Sequence, residues 1–327
     1  MNLTCKYIVG VDVGSSKIYA AAGKIDENEK LQFAGITSYD CTGTKNSIVT
    51  NVDSTANSIN KCIKHLEEMI GTEIKDVYIS VQGGMYDLVK NKGITAISNK
   101  DHEVTENEVS KAIESSEKIS LPSGKRIIGS VPIKYNVDGY EYSKEPLNKV
   151  GLKLEIESQV IVVQSEAINN LLSSFNKAGL KVNGLVLEPV AEAEVTLNEE
   201  EKKLAVVLID VGAEITTVSF LKNQNLYYSF SIPYGGSTIT NDISICLNIS
   251  KEKAEKIKRR YGNVKYISKE SDVKLNLSDK DNISYKTLSE IISARTEEMC
   301  ELIKHKLEEN GNFSLTSGVI ITGGGIS

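Results

Sequence analysis

The chain opens with two apolar segments that are separated by a short polar turn. Residues 7–25 contain an apolar segment that ends near Asp12, the turn Gly-Ser-Ser-Lys, and a second apolar segment. Two apolar segments joined by a tight polar turn predict a β-hairpin. The same plan returns at residues 204–220, where an apolar segment ends in Asp210. Because an internal repeat reports architecture, the pattern predicts two similar halves.

Outside the two hairpins, the spacing of apolar positions predicts alternating helices and strands. A helix is expected to begin after the capping residues Asp53 and Ser54 and to end at Gly71. The pattern breaks at Gly83, and the segment that follows carries three of the five prolines, which predicts an inserted domain with its own small sheet. The remaining elements are predicted as strands over 31–39, 76–82, 88–97, 126–136, 153–164, 182–187, 226–232 and 318–322, and as helices over 105–118, 165–178, 236–247, 251–260 and 284–310.

Length and composition are those of an ordinary globular protein that is large enough for two domains. Hydrophobic residues make up 40% of the 327 residues and charged residues 25%, and the net charge of −6 argues against a nucleic-acid surface. The five cysteines form no C-x-x-C pair, which suits a reducing compartment and argues against a zinc site. We expect a cytoplasmic protein, because neither a signal peptide nor an apolar run of transmembrane length is evident.

The first turn carries the residue types of an anion site. Gly14 lets the backbone approach a ligand, while Ser15 and Ser16 offer hydroxyls and successive backbone N–H groups. Lys17 adds a positive charge, and Asp12 at the end of the strand is placed to hold a metal-bound water. The turn therefore suits a phosphate and Mg²⁺, although the same residues also make a good plain hairpin.

The second hairpin strengthens the case for a ligand. It repeats the aspartate and the glycine of the first as Asp210 and Gly212. Two similar halves that each offer such a turn predict a cleft in which a polyphosphate is held from both sides.

Three further features are candidates for the same cleft. Glu188 precedes Pro189 at the end of a predicted strand, where its carboxylate either orients a water for attack on a terminal phosphate or serves as a helix N-cap. Gly235 and Gly236 open a helix and form a second candidate anion site. The glycines at 323–325 follow a buried strand, where the backbone either lies flat against a ligand or turns sharply.

Five motifs in this order resemble the phosphate loops, the connecting segment and the adenosine elements of the actin, Hsp70 and sugar-kinase superfamily. They are Asp12-Val-Gly-Ser-Ser-Lys17, Glu188-Pro-Val-Ala191, Asp210-Val-Gly-Ala-Glu214, Ala254-Glu-Lys-Ile-Lys258 and Thr322-Gly-Gly-Gly-Ile326. Within that superfamily the chain resembles the FtsA family of bacterial cell-division proteins. The segments that carry this narrower resemblance are 131–139, 178–182, 232–243 and 254–262.

The resemblance implies an α/β fold of the actin-like, ribonuclease H-like type, with two domains, a nucleotide cleft and a small inserted α/β subdomain. The implied division is 1–83 with 163–197 for the first domain (subdomain 1A), 84–162 for the inserted FtsA-type subdomain (1C), 198–240 with 285–327 for a second domain (2A) that looks incomplete at its C-terminal end, and 241–284 for subdomain 2B.

The resemblance also implies which residues hold ATP and Mg²⁺. The phosphates would be held from one side by Gly14, Ser15, Ser16 and Lys17, and from the other side by Gly212 and Ala213. Asp12 and Asp210 would order the Mg²⁺ shell through water. Gly235 and Gly236 would line the cleft, Glu255 and Lys258 would meet the ribose and adenine, and Gly323, Gly324 and Gly325 would support the nucleoside. The second loop departs from the glycine-rich family pattern at Ala213 and Glu214. A carboxylate at Glu214 is expected to repel the phosphates.

The implied role is a nucleotide-dependent filament and adaptor protein that links FtsZ to the division machinery, with at most slow ATP hydrolysis. It would act in the cytoplasm at the inner face of the membrane at the division site. Family members are tethered there through a C-terminal amphipathic helix, which these residues do not contain. Two alternatives stay open: an adaptor of the pilus-assembly PilM type, and a small-molecule kinase on the same fold.

Overall fold

The computed structural model describes residues 7–26, 30–264, 274–276, 282–309 and 317–326. The strands are β1 (Ile8–Val13), β2 (Lys17–Ile25), β3 (Leu31–Asp40), β4 (Thr44–Lys45), β5 (Ile48–Val49), β6 (Asp76–Val81), β7 (Tyr86–Ala96), β8 (Lys125–Val137), β9 (Tyr140–Tyr142), β10 (Lys153–Gln164), β11 (Lys181–Leu187), β12 (Ala205–Val211), β13 (Thr216–Lys222), β14 (Asn225–Ile232), β15 (Lys274–Asn276), β16 (Asn282–Ser284) and β17 (Gly318–Thr322). The helices are α1 (Val52–Ile70), α2 (Glu106–Ser116), α3 (Ser165–Lys177), α4 (Glu188–Thr196), α5 (Gly236–Cys246), α6 (Lys251–Tyr261) and α7 (Tyr285–Glu309).

The first sheet has five strands in the order β11-β6-β1-β2-β3. β1, β2 and β3 form an antiparallel meander, whereas β6 pairs with β1 and β11 pairs with β6 in parallel. Because side chains alternate along a strand, Val9 and Val11 point into the core while Ile8 stays exposed. The core on that face includes Leu66 of α1 and Phe175 of α3, both fully buried.

The second sheet has the order β14-β13-β12-β17 and repeats the first in its hairpin. β12 and β13 pair antiparallel, and β17 joins β12 in parallel with Asp210 opposite Thr322. In the first hairpin the last pair before the turn is Val13 with Ile18, and in the second it is Val211 with Thr216. Both predicted hairpins are therefore confirmed, each with a four-residue turn.

The segment from β7 to β10, which lies between the two hairpins in the chain, forms its own sheet. Its strands are antiparallel in the order β7-β10-β8-β9, and α2 packs against them around a separate core. The chain enters this sheet after a short 3₁₀ turn at Gly83–Met85 and leaves it where β10 runs into α3. A turn at Val137, Asp138 and Gly139 joins β8 to β9, and Gly139 takes a positive φ of 96° there.

Helices α5, α6 and α7 pack together beside the second sheet. Their shared core contains Ile243, Ile257, Leu288 and Ile292. Within the predicted segment 241–284, the structure describes α6 and the two-stranded pair β15–β16. Residues 1–6, 27–29, 265–273, 277–281, 310–316 and 327 of the predicted elements and domains lie outside the described residues. In the described part of the chain, every helix is too short or too polar to cross a membrane.

Candidate functional site

The two hairpin turns have the same backbone geometry. The amide of Gly14 donates to the carbonyl of Lys17 at 3.0 Å, and the amide of Gly212 donates to that of Ile215 at 2.9 Å. A Cβ atom on Gly14 would lie 3.1 Å from the Lys17 oxygen, and one on Gly212 would lie 2.9 Å from the Ile215 oxygen. A side chain would thus be tight at Gly14 and would force a shift at Gly212, and each glycine follows an aspartate by two residues.

Asp12 is held by side chains of the neighbouring parallel strand and its extension. Its Oδ1 accepts hydrogen bonds from Ser80 and from Gln82, the latter at 2.5 Å. Burial raises the pKa of Asp12, and these two hydrogen bonds act in the opposite direction. The carboxylate is thus fixed in position at the end of β1.

Glu188 is the first residue of α4, and its side chain reaches across to both halves. Its Oε2 accepts from the amide of Gly83 at 3.0 Å and from the hydroxyl of Thr217 on β13 at 3.3 Å. The N-cap position of α4 belongs to Leu187, so the alternative role of Glu188 as an N-cap is wrong. The carboxylate instead accepts hydrogen bonds from groups of both halves.

Three carboxylates meet at this point. Oxygens of Glu188, Glu192 and Asp210 all lie within 4.8 Å of one another. Burial, followed by the charges of Asp210 and Asp12, raises the pKa of Glu192 to about 8. Burial and the charges of Asp210, Asp12 and Glu192 also raise the pKa of Glu188 well above its ordinary range. Sequence analysis missed Glu192, although its spacing of four residues from Glu188 places both on one face of a helix.

Asp12 and Asp210 lie near the strand ends of two different sheets, and the charge of Asp12 acts on Asp210. The pKa of Asp210 is raised by burial and by the charge of Asp12, while a hydrogen bond with Glu188 lowers it. Like charges brought together in a partly dry space repel one another. Carboxylate oxygens are the ligands that hard divalent cations prefer, so the residues present fit Mg²⁺.

Gly235, Gly236 and Gly325 pack their backbone against the second turn and form a glycine wall. The amide of Gly236 donates to the carbonyl of Gly212 at 3.0 Å, and the amide of Gly325 donates to that of Val211 at 2.7 Å. A Cβ atom on Gly235 would lie 2.6 Å from the Gly212 oxygen, and one on Gly325 would lie 2.7 Å from the same oxygen. Only glycine fits where these three backbone segments lie against each other.

The other two glycines of the last run differ from each other. Gly323 has a φ of 102°, and a Cβ atom there would collide with Oδ1 of Asp210. A Cβ atom on Gly324 would meet open space. The run therefore turns tightly past the aspartate at Gly323 and leaves space for a side chain at the next position.

Glu255 and Lys258 lie at the same wall. Nζ of Lys258 donates to the carbonyl of Gly236 at 2.8 Å and pairs with Glu255 at 2.8 Å. Thr240 of α5 contacts both side chains. Burial raises the pKa of Glu255, but hydrogen bonds with Lys258 and Thr240 outweigh it and the net pKa is lowered.

The first turn is covered by the small hairpin β4–β5, which sequence analysis did not predict. The hydroxyl of Ser15 accepts from the amide of Ser47 at 2.8 Å, and Thr44 donates to the Gly14 carbonyl at 3.2 Å. The side chain of Ser16 is exposed and that of Lys17 is partly buried.

The predicted residues therefore form two adjoining groups. Glu188 and Asp210 belong to the carboxylate cluster together with Glu192, and the charge of Asp12 acts on all three. The second turn, with Gly212 and Ala213, connects this cluster to the glycine wall, because the Ala213 carbonyl accepts the amide of Ser237 at the start of α5 at 2.7 Å. A shallow groove of about 550 Å³ lies elsewhere, along α3 and the start of β11, and shares no residue with either group.

Two family models match the chain. The model described as "Cell division protein FtsA" matches residues 207–323, and the one described as "SHS2 domain inserted in FTSA" matches residues 83–162. The cell division protein FtsA of Bacillus subtilis is 29% identical over 321 residues, which cover 97% of this chain and 73% of that protein. The FtsA of Borreliella burgdorferi is 30% identical over 325 residues, which cover 97% of this chain and 79% of that protein.

Solved structures share the fold. A PilM–PilN type IV pilus biogenesis complex matches with a TM-score of 0.67 at 17% identity, over 97% of this chain and 81% of that chain. MreB5 of Spiroplasma citri bound to ADP matches with a TM-score of 0.55 at 13% identity, over 98% of this chain and 85% of that chain. These likenesses confirm the predicted actin-like fold. The similarity to the curated relatives goes further, and the chain belongs to the FtsA family of bacterial cell division proteins.

Proposed function

We propose that the cleft binds ATP with Mg²⁺ and that the protein works in cell division as an actin-like, nucleotide-dependent filament. The observation that carries the proposal is that two equivalent hairpins, in two different sheets, each bring an aspartate to one cluster of carboxylates: Asp210 belongs to the cluster, and the charge of Asp12 acts on its members. The solved structure of MreB5, which has this fold and is bound to ADP, supports a nucleotide in such a cleft.

Each group of residues has a proposed role. Gly14, Ser15, Ser16 and Lys17 hold the phosphates from the first half, and Gly212 with Ala213 hold them from the second. Asp12 and Asp210 order the waters around Mg²⁺, which supplies positive charge that offsets both the carboxylates and the phosphates. Gly235 and Gly236 line the cleft, Glu255 and Lys258 meet the ribose and adenine, and Gly323, Gly324 and Gly325 support the nucleoside.

Hydrolysis of ATP is at most slow in this proposal. Glu188 is the residue placed to orient an attacking water, because its side chain lies between the two halves. Burial and the neighbouring carboxylates raise its pKa well above the ordinary range, and a carboxyl that holds its proton more tightly is less available to accept a proton from water. The same geometry therefore supports binding better than turnover.

We further propose the domain division given by the family resemblance. The first domain comprises residues 1–83 with 163–197, and the inserted subdomain comprises 84–162. Residues 198–240 with 285–327 form the second domain, and 241–284 its smaller subdomain. In this division the carboxylate cluster draws on both domains, since Glu188 and Glu192 come from the first and Asp210 from the second.

The proposed partners are FtsZ and further copies of the chain. Membership of the FtsA family supports a role in cell division. The link to FtsZ is our proposal. The proposed location is the inner face of the cell membrane at the division site.

Titration calorimetry with ATP and Mg²⁺ tests the nucleotide site. We expect binding by the wild type and a loss of about tenfold or more in affinity for Asp210→Asn, because the variant loses one charge toward the cation. Asp101→Asn, an exposed aspartate of the inserted segment, is the matched control and should bind like the wild type. Absence of any heat with folded wild-type protein would refute the nucleotide site.

Sedimentation tests the filament and its partner. Ultracentrifugation should pellet the protein with ATP and not without it, and FtsZ should enter the pellet with it. Co-purification with pilus proteins instead of FtsZ would favour the PilM-type alternative, for which the solved PilM–PilN complex supports the fold alone. Rapid phosphate transfer to a sugar or an acid in a coupled assay would favour the small-molecule kinase.

A further inference from the structure

Glu214, the residue that departs from the glycine-rich loop pattern, makes a contact between the two halves. It follows Gly212 and Ala213 in the second turn and is partly buried. Its Oε2 accepts a hydrogen bond from the backbone amide of Asn46 at 2.6 Å. The carboxylate thus bonds to the small hairpin β4–β5, which belongs to the opposite half.

The hairpin that carries Asn46 is itself fastened to the first turn. The amide of Ser47 donates to Ser15 at 2.8 Å, and Thr44 donates to the carbonyls of Gly14 and Ser15, each at 3.2 Å. Asn46 and Ser47 both have positive φ, at 49° and 60°. Asparagine adopts this conformation readily in tight turns and serine seldom does, and here it presents two successive amides to two different acceptors.

A continuous path therefore joins the two turns. It runs from Ser15 through Ser47 and Asn46 to the carboxylate of Glu214, two residues after Gly212. A hydrogen bond from an amide to an ionised carboxylate is roughly twice as strong as one between neutral groups. The path closes without any nucleotide, because every atom in it belongs to the chain.

A phosphate between the same two turns meets this carboxylate. Both groups are anions and both accept hydrogen bonds from backbone amides, so they compete for the Asn46 amide and repel each other. We propose that Glu214 is a built-in anion that fastens the two turns together and competes with the phosphates of a bound nucleotide. The competition with phosphate rests on the proposed nucleotide site. The fastening of the two turns rests only on the observed hydrogen bonds.

Competition has a reciprocal consequence. If phosphate binding releases Glu214, then removal of the Glu214 charge must strengthen phosphate binding by the same coupling. The effect depends on the charge of the phosphates. The affinity for adenosine, which has no phosphate, should therefore not depend on Glu214. The residue therefore sets how strongly the site prefers polyphosphate over the bare nucleoside.

Hydrogen–deuterium exchange of the nucleotide-free protein tests the fastening. In Glu214→Ala the Asn46 amide should exchange about tenfold faster than in the wild type, which corresponds to about 1.4 kcal/mol. The Ser47 amide should keep its rate, because Ser15 still holds it. Glu68→Gln, an exposed glutamate on α1, serves as the charge control and should change neither amide. An unchanged Asn46 rate in Glu214→Ala would overturn the fastening.

Titration of ATP and adenosine tests the competition. Glu214→Gln keeps an acceptor for the Asn46 amide but removes the charge, so ATP should bind about tenfold more tightly while adenosine binds equally. Equal or weaker ATP binding by the variant would overturn the competition. Failure of both proteins to bind ATP would refute the proposed function and the competition together, and the exchange experiment would still decide the fastening.

Discussion

Glu192 should make the protein less stable as the pH rises, and its replacement by glutamine should remove that dependence. In the folded protein, burial and the charges of Asp210 and Asp12 raise the Glu192 pKa from 4.5 to about 8. A carboxyl with a raised pKa binds its proton more tightly in the folded state than in the unfolded state. Its contribution to stability therefore falls as the pH rises from 4.5 toward 8.

The magnitude follows from that shift. At pH 7 the unfolded chain has ionised Glu192, whereas the folded protein still holds the proton. Roughly 2.5 pH units above the ordinary pKa, at about 1.36 kcal/mol per unit, the loss is about 3 kcal/mol relative to acidic pH. Glutamine resembles the protonated acid in shape and lacks this penalty. Glu192→Gln should thus equal the wild type near pH 4.5 and exceed it by about 3 kcal/mol at pH 7.

Urea unfolding between pH 4.5 and pH 8, in a chelating buffer without nucleotide, measures this difference. Glu297→Gln, an exposed glutamate on α7, is the control and should follow the wild type at every pH. A stability difference between Glu192→Gln and wild type that stays constant with pH would refute the reasoning. A wild type that is the more stable of the two at pH 7 would refute it as well.

Two further substitutions test the wall of the cleft. Gly235→Ala places a Cβ atom 2.6 Å from the Gly212 oxygen, so thermal unfolding should show a loss of about 1–3 kcal/mol and calorimetry a loss of ATP binding. Gly10→Ala, where a Cβ atom has nothing within 4 Å, is the matched control, and equal behaviour of the two variants would contradict the steric argument. Lys258→Met removes a donor to the Gly236 carbonyl and should weaken the binding of ATP and of adenosine by the same factor. A loss for ATP alone would place this lysine at the phosphates instead.

Local sequence was sufficient to predict the two hairpins. The turns depend on residues that are adjacent in the chain, with Gly14 and Gly212 at the positions where a side chain would contact a carbonyl. The apolar segments on either side then fix which residues face the core. For the same reason Asp12 and Asp210 could be predicted at the strand ends.

Contacts that depend on distant pairing were not predictable in this way. Ser80 and Gln82 reach Asp12 only because β6 pairs with β1 in a particular parallel register, and they lie 68 and 70 residues away. Glu192 could have been found from its helical spacing to Glu188, but only with knowledge that α4 points this face at Asp210.

The hairpin β4–β5 was missed for a different reason. Glycine is the usual sequence signal of a tight turn with positive φ, but here Asn46 and Ser47 take that conformation. The amides of the two residues are bonded to Glu214 and to Ser15. Glu214 was expected only to repel phosphates, and its hydrogen bond across the cleft could not be inferred without the position of that hairpin.

The central claim is that both aspartate-bearing turns hold one triphosphate. A crystal structure of the protein with Mg²⁺ and a nonhydrolysable ATP analogue tests it most directly. We predict phosphate oxygens within hydrogen-bond distance of backbone amides in residues 14–17 and in residues 212–214, with the cation beside Asp12 and Asp210. Phosphates that touch only one of the two turns, or a nucleotide bound away from the carboxylate cluster, would contradict the account.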